Sequence, residues 1–178
     1  KAGVLDVVIS EGQVADVVVK AEKPLNVGTV FVKDPDLGLN IRDLEQAVDQ
    51  MNAVPGNNVV MAVLPGTQEQ TSQVIFNNTG KPGVKGRVSL DNTGTEATGV
   101  HGASLALQAG DLLSLNDVWA VNARQSIGPK EKSSDSFSLD IKVPHGYNTY
   151  GFAYNKGGFD TLLMFPSSGA QLTSEGAN

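Results

Sequence analysis

Apolar and polar residues alternate one by one along five stretches in the second half of the chain. Because successive side chains of a strand point to opposite faces, each stretch predicts a strand with one apolar face. Turn-rich segments separate the stretches and no helix pattern lies between them, so the sequence predicts an antiparallel meander. The stretches are GRVSLDN at 86–92, HGASLALQ at 101–108, DVWAVNARQSI at 117–127, SDSFSLDIKVPHG at 134–146 and YNTYGFAYNKG at 147–157.

The apolar face of this meander suits two environments. In a soluble sandwich it would face a core, whereas in a transmembrane barrel it would face lipid while the polar face lines the lumen. Periodicity alone does not separate the two. Three features favour the barrel: a strongly polar opposite face, aromatic residues gathered near one strand start at residues 147–154, and strand lengths near the ~9–11 residues that cross a bilayer. The expected lipid-facing residues are Leu105, Leu107, Trp119, Phe137, Leu139, Ile141, Val143, Tyr150, Phe152 and Tyr154. The aromatic residues near the strand start would form a girdle at the membrane interface, which would also include Tyr147. Trp119 is either an anchor at that interface or an ordinary core residue.

The first third of the chain predicts a small α+β unit. Residues 4–9 and 14–19 are rich in β-branched residues and favour strands. Val30 and Val32 predict another short strand.

The strongest helix pattern covers residues 41–52. Asn40 is a good N-cap, the apolar residues that follow it recur at helical spacing, and Pro55-Gly56 ends the pattern. Strand patterns follow at residues 58–66 and 71–79. The order strand, helix, strand, strand predicts a domain with its helix on one face of a short sheet.

Composition narrows the class of protein. The chain has 13 basic and 19 acidic residues and a formal net charge of −6, which argues against a general nucleic-acid binder. The absence of cysteine excludes disulfides and thiolate metal sites. No stretch approaches the ~20 apolar residues of a transmembrane helix. The sequence begins within a strand-like run and without a signal-peptide pattern, so we expect a piece of a longer protein.

The sequence shows no catalytic or metal-binding constellation. His101 and His145 are the only histidines and lack neighbouring ligands at metal-binding spacing. Asp135 and Asp140 lie near serines but not within a nucleophile-turn motif. NTGKPGVKG at 78–86 lacks the Gly-Lys-Ser/Thr ending of a phosphate loop and is interpreted as a linker. We therefore expect no enzyme activity, no cofactor and no bound metal.

Residues 39–66 closely resemble the second polypeptide-transport-associated (POTRA) domain of two-partner secretion transporters. That family has a segment L-N-x-R-D-L-E-Q, then D-Q-x-N, a proline turn and a strand ending in L-P-G. Here these elements are residues 39–46, residues 49–52, Pro55 and residues 64–66.

The resemblance continues outside this segment. VSLDNTGTEATG at 88–99 resembles the family's first barrel strand and turn, and DLLSLNDVW at 111–119 resembles the connection before the third strand. SFSLDIKVPHGYNTYGFAYNK at 136–156 resembles the following hairpin with its Pro-x-Gly turn. LDVVISEGQV at 5–14 is similar to the junction between two POTRA domains.

The family resembled is the TpsB-type outer-membrane transporters, which serve haemolysin, filamentous-haemagglutinin and contact-dependent-inhibition secretion. The resemblance implies an α+β POTRA domain followed by an antiparallel all-β meander, the N-terminal part of a transmembrane β-barrel. Residues 1–12 would end a preceding POTRA domain, residues 13–80 would form a POTRA-like domain, and residues 81–178 would be barrel strands.

The implied function is recognition and translocation of a large secreted partner protein in type V secretion. The implied location is the outer membrane of a Gram-negative bacterium, with the POTRA part in the periplasm. The implied partners are the N-terminal secretion domain of the secreted protein and outer-membrane lipid, without nucleic acid.

Partner binding by strand addition to an exposed sheet edge is compatible with this resemblance. The candidate edge is residues 58–64, beside one face of the predicted helix. The expected partner-binding residues are Arg42, Glu45, Asp49, Val59 and Met61. The charged residues also suit an ordinary solvated helix face with local ion pairs.

The sequence departs from the family pattern in three ways. The segment before Asn40 has little helix signal, so the first helix of the domain is expected to be degraded or missing. The sequence contains no counterpart of the family's plug helix or Val-Arg-Gly-Tyr loop motif. Five or six strands cannot close a barrel of about sixteen, and open edges are costly in lipid, so the strands must pair with further polypeptide. The alternative function is a soluble β-rich binding or adhesin-like domain with a small α+β cap, in which residues 137–143 would be buried.

Overall fold

The computed structural model describes residues 13–31, 38, 40–68, 70–165 and 168–178, and it describes only the backbone within residues 162–171. The predicted first strand at residues 4–9, residue Val32 and most of the predicted POTRA junction lie outside the described residues. The chain forms a three-stranded sheet followed by a six-stranded sheet.

The three-stranded sheet and its helices form what we call the small module, residues 13–80. Strand β1 pairs parallel with β3, and β2 pairs antiparallel with β3, so β1 and β2 are the two edges of the sheet among the described residues. The strand-helix-strand-strand order predicted for this region is confirmed. Its elements are β1 (Gln13–Ala21), α1 (Val27–Val30), α2 (Ile41–Asn52), β2 (Val59–Pro65) and β3 (Thr71–Asn78).

Helix α2 begins where the sequence predicts. The side chain of Asn40 accepts a hydrogen bond of 3.0 Å from the backbone N–H of Arg42, which satisfies one of the unpaired donors of the first turn. The buried face of the helix packs on the sheet. The helix contributes three fully buried residues to the core of the small module: Leu44, Ala47 and Met51. They share this core with Val74 and Phe76 of β3.

The prediction of a strand at Val30 is wrong. Val30 ends the single helical turn α1, and its side chain is 1% exposed in the core of the small module. The β-branched residues of this segment favour a strand, but tertiary packing outweighs that weak local preference. The first helix of the domain is therefore present but short.

The six-stranded sheet is an antiparallel meander in which each strand pairs with the next. The five predicted strands are confirmed, and the sixth, β9, was not predicted. Within the described residues the sheet is open, with β4 and β9 at its edges. The strands are β4 (Val84–Asp91), β5 (His101–Gly110), β6 (Val118–Ile127), β7 (Ser133–His145), β8 (Asn148–Phe165) and β9 (Ser168–Ala177).

The apolar core of the described residues lies in the small module, whereas large apolar side chains of the six-stranded sheet are exposed. Val88 is 76% exposed, Phe152 is 58% exposed and Phe137 is 40% exposed. In the part of the chain that the structure describes, no second layer covers these residues, which a soluble sandwich would require.

Neither described helix has the length and apolar character that crossing a membrane as a helix requires; the longer, α2, has 12 residues.

Candidate functional site

The strand register collects the apolar residues of β4 to β8 on one side of the six-stranded sheet, which we call the apolar face. Trp119 lies opposite Ile141, and Ile141 lies opposite Phe152. Leu105 and Leu107 of β5 share this face through their pairing with β6. All ten residues predicted to face lipid lie together here, and the pairing extends the face to Val84, Val88, Leu90 and Val121.

Tyr147 is not part of the apolar face. It lies in the turn between β7 and β8, and its hydroxyl donates a hydrogen bond to the carboxylate of Asp43 in α2. This hydrogen bond holds the pKa of Tyr147 above its usual value. The expectation that Tyr147 belongs to an aromatic girdle is therefore corrected: it connects the sheet to the small module.

The opposite side of the sheet, which we call the polar face, contains a bidentate ion pair. Arg124 of β6 reaches Asp91 of β4 with Nη1–Oδ2 and Nη2–Oδ1 distances of 2.6 and 2.7 Å. The guanidinium passes over Gly102 of β5, where an added Cβ would lie 2.5 Å from Nη2. Arg124 also donates to Ser104 Oγ at 3.0 Å. The pair thus ties the first and third strands together across the second.

The residues predicted to bind a partner occupy different positions in the small module. Arg42, Glu45 and Asp49 are exposed on α2, in the same stripe as Asn52. Asn52 bonds to the backbone of β2, so this stripe lies on the side of the helix that faces the β2 edge.

Val59 is a poor contact for a partner. Its side chain is 2% exposed, and its backbone N–H and C=O bond to the carboxamide of Asn52 at 2.7 and 2.9 Å. Met61 packs partly against the core. The expectation for Val59 is therefore corrected, because neither its side chain nor its backbone is accessible.

The backbone of β2 beyond Val59 has a free side. Asn58 O accepts from Thr79 N at 3.1 Å and Gly66 N donates to Thr71 O at 2.8 Å, so even-numbered residues of β2 point toward β3. Odd-numbered residues point away from β3 because successive backbone groups of a strand alternate in direction. Met61 and Val63 therefore present N–H and C=O groups along an edge that pairs with no other strand in the described part of the chain.

The small module docks onto one end of the six-stranded sheet at an interface that we call the junction. Asn116, in the loop between β5 and β6, donates from Nδ2 to Asn26 O at 2.6 Å and to Thr29 Oγ1 at 2.8 Å. Gly146, in the turn between β7 and β8, donates from its N–H to Thr29 O at 2.8 Å, and its carbonyl accepts from Gln46 Nε2 at 2.6 Å. Both α1 and α2 are thus hydrogen-bonded to connections of the sheet.

The loop between β5 and β6 is organised around a buried carboxylate. Asp117, which is 0% exposed, accepts bonds from the backbone N–H groups of Leu112, Leu113 and Leu115 and from Trp119 Nε1 at 2.6 Å. Burial by itself would raise the pKa of Asp117, but these hydrogen bonds outweigh it and hold the pKa below its usual value. The loop backbone has positive φ at Asp111, Ser114 and Asn116.

Close packing and one ion pair complete the junction. An added Cβ at Gly110 would lie 2.5 Å from Val54 Cγ1 and 3.0 Å from Pro55 Cδ, so this position accommodates only glycine without displacement. Lys23 Nζ lies 3.7 Å from the carboxylate of Asp111, whose side chain is almost fully buried. The small module and the sheet are therefore in contact through packing as well as hydrogen bonds.

Sequence reasoning did not identify the junction residues. Gln46 and Asn116 lie in segments that carry the family resemblance, and Asn26 and Thr29 lie in no motif, but no local pattern indicates their contacts, which join residues 87 to 100 positions apart. The segment DLLSLND at 111–117 contains Asp and Asn, which adopt left-handed backbone more readily than most residues. These residues indicate a tight loop, but not its contacts with the small module.

Residues 70–178 match the family of haemolysin secretion/activation proteins ShlB/FhaC/HecB, and residues 13–65 match a POTRA domain. The outer membrane transporter CdiB of Dickeya dadantii is 28% identical over 155 residues, covering 86% of this chain and 28% of that protein. The outer membrane transporter CdiB-2 of Burkholderia pseudomallei is 34% identical over 152 residues, covering 83% of this chain and 26% of that protein.

A solved structure shows the same fold. CdiB from Escherichia coli superposes with a TM-score of 0.85 at 24% identity, covering 93% of this chain and 32% of that one. The chain thus spans roughly a quarter to a third of the length of these relatives.

Proposed function

Because the chain belongs to the ShlB/FhaC/HecB family of haemolysin secretion/activation proteins, we propose that it forms part of an outer-membrane pore that recognises a large secreted partner protein and translocates it. In this proposal residues 13–80 are a periplasmic POTRA domain and residues 81–178 contribute strands to the barrel. The organism is a Gram-negative bacterium. The proposal assigns no enzymatic activity to the chain, and its net charge of −6 does not favour a nucleic-acid partner.

The exposed apolar face is the observation that carries this proposal. Phe152 and Tyr150 are more exposed than buried, and they lie in one continuous surface with Ile141 and Trp119. Such a surface is unfavourable in water and favourable against hydrocarbon. The soluble binding domain, the alternative that the sequence left open, would need a layer packed on this face.

The junction gives the proposed barrel its orientation. The small module contacts the loop between β5 and β6 and the turn between β7 and β8, which lie at the same end of the sheet. A POTRA domain in the periplasm places this end on the periplasmic side. The loops at residues 92–100 and 128–132 would then lie on the cell exterior.

The free edge of β2 is the proposed recognition element for the secretion domain of the partner. An extended segment of the partner could pair with the outward backbone groups of Met61 and Val63, which supplies affinity without requiring a specific sequence. The exposed charges of Arg42, Glu45 and Asp49 lie on the adjacent side of α2 and would add selectivity.

The proposal is tested in cells that produce the complete transporter together with its partner. We expect the transporter in the outer-membrane fraction and the partner in the medium, and we expect deletion of the transporter gene to retain the partner in the periplasm. Equal secretion by cells with and without the transporter would overturn the proposal.

A further inference from the structure

The two sides of strand β8 exchange character along its length. From Tyr150 to Tyr154 the even-numbered residues are aromatic and lie on the apolar face. The next even-numbered residues on that side, 156 to 160, are lysine, glycine and aspartate. The odd-numbered Phe159 instead lies on the side of the polar face, where it is 43% exposed. The apolar side of the strand is thus inverted at residues 155–158, whose sequence is NKGG.

Charged groups beyond the inversion indicate where the hydrocarbon layer ends. Lys156 forms an ion pair with Glu175 of β9. Asp160 accepts hydrogen bonds from Ser133 Oγ at 3.3 Å and from Thr173 Oγ1 at 2.5 Å. Charged side chains on the lipid side of a barrel are destabilising within the bilayer. In the proposed orientation this is the exterior end of the sheet, so β8 from Lys156 onward and β9 would lie outside the membrane.

Phe159 shares its side of the sheet with Leu172 of β9. Leu172 lies opposite Thr161, two residues beyond Phe159 on the same strand, and it is 49% exposed. Phe159 itself lies between Ser134 and Ser174 of the neighbouring strands. We call Phe159 and Leu172 the exit patch. Since this side continues the polar face, which lines the lumen in the proposed barrel, a chain that leaves the lumen would pass the exit patch.

The size of the exit patch favours an unfolded chain as its occupant. The exposed parts of its two side chains cover on the order of 200 Å² together. A stable interface with a folded protein or with a second copy buries about 1,200–2,000 Å². An unfolded chain exposes apolar side chains that a folded protein buries, and each of them gains free energy when it covers an exposed apolar group. Such contacts are small enough to form and break as the chain moves.

We propose that Phe159 and Leu172 bind apolar side chains of the partner as it emerges from the lumen, and that these contacts hinder its return. This inference rests on the proposed secretion function and adds a contact site for the same partner at the exit. Apolar attraction is non-directional, so the exit patch requires apolar residues in the emerging segment but no particular order of residues.

Photocrosslinking tests the exit patch in the complete transporter. A benzophenone amino acid replaces Phe159 or Leu172, and the partner carries a rapidly folding C-terminal domain that stalls it during export. Positions 160 and 173 are matched controls, because each is the next residue of the same strand and lies on the opposite side of the sheet. We expect crosslinks to the stalled partner from positions 159 and 172 and none from positions 160 and 173.

A second measurement compares secretion rates at equal amounts of transporter in the outer membrane. Phe159→Ser combined with Leu172→Ser removes the apolar contacts, and we expect about three- to tenfold slower secretion, as for the loss of a small apolar contact area. Phe159→Leu combined with Leu172→Met keeps both positions apolar and should stay within about twofold of the unaltered rate. This conservative pair separates the apolar contact from a general effect of substitution.

The outcomes separate this inference from the proposed function. Crosslinks from positions 159 and 172 only to the transporter itself would mean that another segment of the same protein covers the patch, and would overturn the inference. Equal crosslinking to the partner from positions 160 and 173 would overturn it too, as would equal secretion rates for the serine and the apolar variants. In each of these cases secretion by the unaltered transporter would leave the proposed function standing. Failure of the unaltered transporter to secrete its partner would overturn both.

Discussion

Asn116 donates a hydrogen bond of 2.8 Å from Nδ2 to Thr29 Oγ1, a residue 87 positions earlier in the chain. The backbone carbonyl of the same threonine accepts a hydrogen bond of 2.8 Å from Gly146 N. One residue of the short helix α1 is thus held by two separate connections of the six-stranded sheet. This arrangement fixes the small module, and with it the free edge of β2, relative to the strands.

Asn116→Ala should loosen α1 from the loop between β5 and β6. The substitution removes the donor to Thr29 Oγ1 and one of the donors to Asn26 O, which still accepts from the Thr29 hydroxyl at 3.0 Å, at an expected cost of about 1–3 kcal/mol. Hydrogen exchange of the α1 amides in the complete protein should accelerate by about 5- to 150-fold, the range that corresponds to this free energy. Asn122→Ala, which removes an exposed carboxamide on the polar face, is the control and should leave α1 exchange unchanged. Unchanged α1 exchange in Asn116→Ala would mean that this contact does not hold the junction.

Gly110→Ala should disrupt packing between the sheet and the small module. The added Cβ would lie 2.5 Å from Val54 Cγ1, so docking should weaken by about 1–3 kcal/mol. Distances between spin labels at exposed positions 49 and 92 should become more widely distributed. Gly128→Ala is the matched control, because an added Cβ there has no neighbour within 4 Å. A sharp, unshifted distribution in Gly110→Ala would contradict the packing described here.

Acidification should weaken the loop that Asp117 organises. Its folded-state pKa lies below the unfolded value of about 3.9, so its stabilising effect is present above that pH and is lost as the pH falls through the folded pKa. The indole N–H resonance of Trp119, assigned with Trp119→Phe, reports the loss because this group donates to Asp117. In Asp117→Asn this transition should be absent and the loop should be less stable at neutral pH. An indole resonance that titrates in the same way in both proteins would show that another group controls it.

Val63→Pro should weaken binding of the partner's secretion domain. Proline removes the outward N–H of β2 while leaving the pairing with β3, a position at which edge strands accept proline. We expect about tenfold weaker binding by the complete transporter, equivalent to about 1.4 kcal/mol. Val63→Ala keeps the donor and should bind within about threefold of the unaltered protein. Equal affinities for the proline and alanine variants would exclude strand addition at this edge.

Local patterns predicted the regular elements well where packing agrees with local preference. Asn40 caps α2 as expected because a cap depends on residues two or three positions away. The alternation of apolar and polar residues correctly predicted which residues share a face, because successive side chains of a strand point to opposite faces whichever strand lies beside it. The strand β9 was not predicted because its residues are mostly small and polar and show no clear apolar alternation. It forms by antiparallel pairing with β8, which is 18 residues long.

The junction and the helix α1 could not be predicted from local sequence. Val30 has a β-branched side chain, which favours a strand, yet it lies in a helix and is buried in the core of the small module. Gln50 and Lys142 line one cavity at the junction, and only the docking of the small module on the six-stranded sheet brings them together. Contacts between residues far apart in the sequence depend on how the two sheets dock. The apolar and polar pattern along the chain predicts strands and their faces, but not this docking.

Site-directed spin labelling of β7 tests the central claim, that the apolar face lies against lipid. Single cysteines at residues 137–143 of the complete transporter in a bilayer carry the label, and collisions with oxygen and with a polar nickel complex are compared. We predict an alternating pattern in which positions 137, 139, 141 and 143 favour oxygen and positions 138, 140 and 142 favour the nickel complex. Protection of the odd positions from both reagents would mean that a protein layer covers the face, and the account of a membrane-spanning sheet would be wrong.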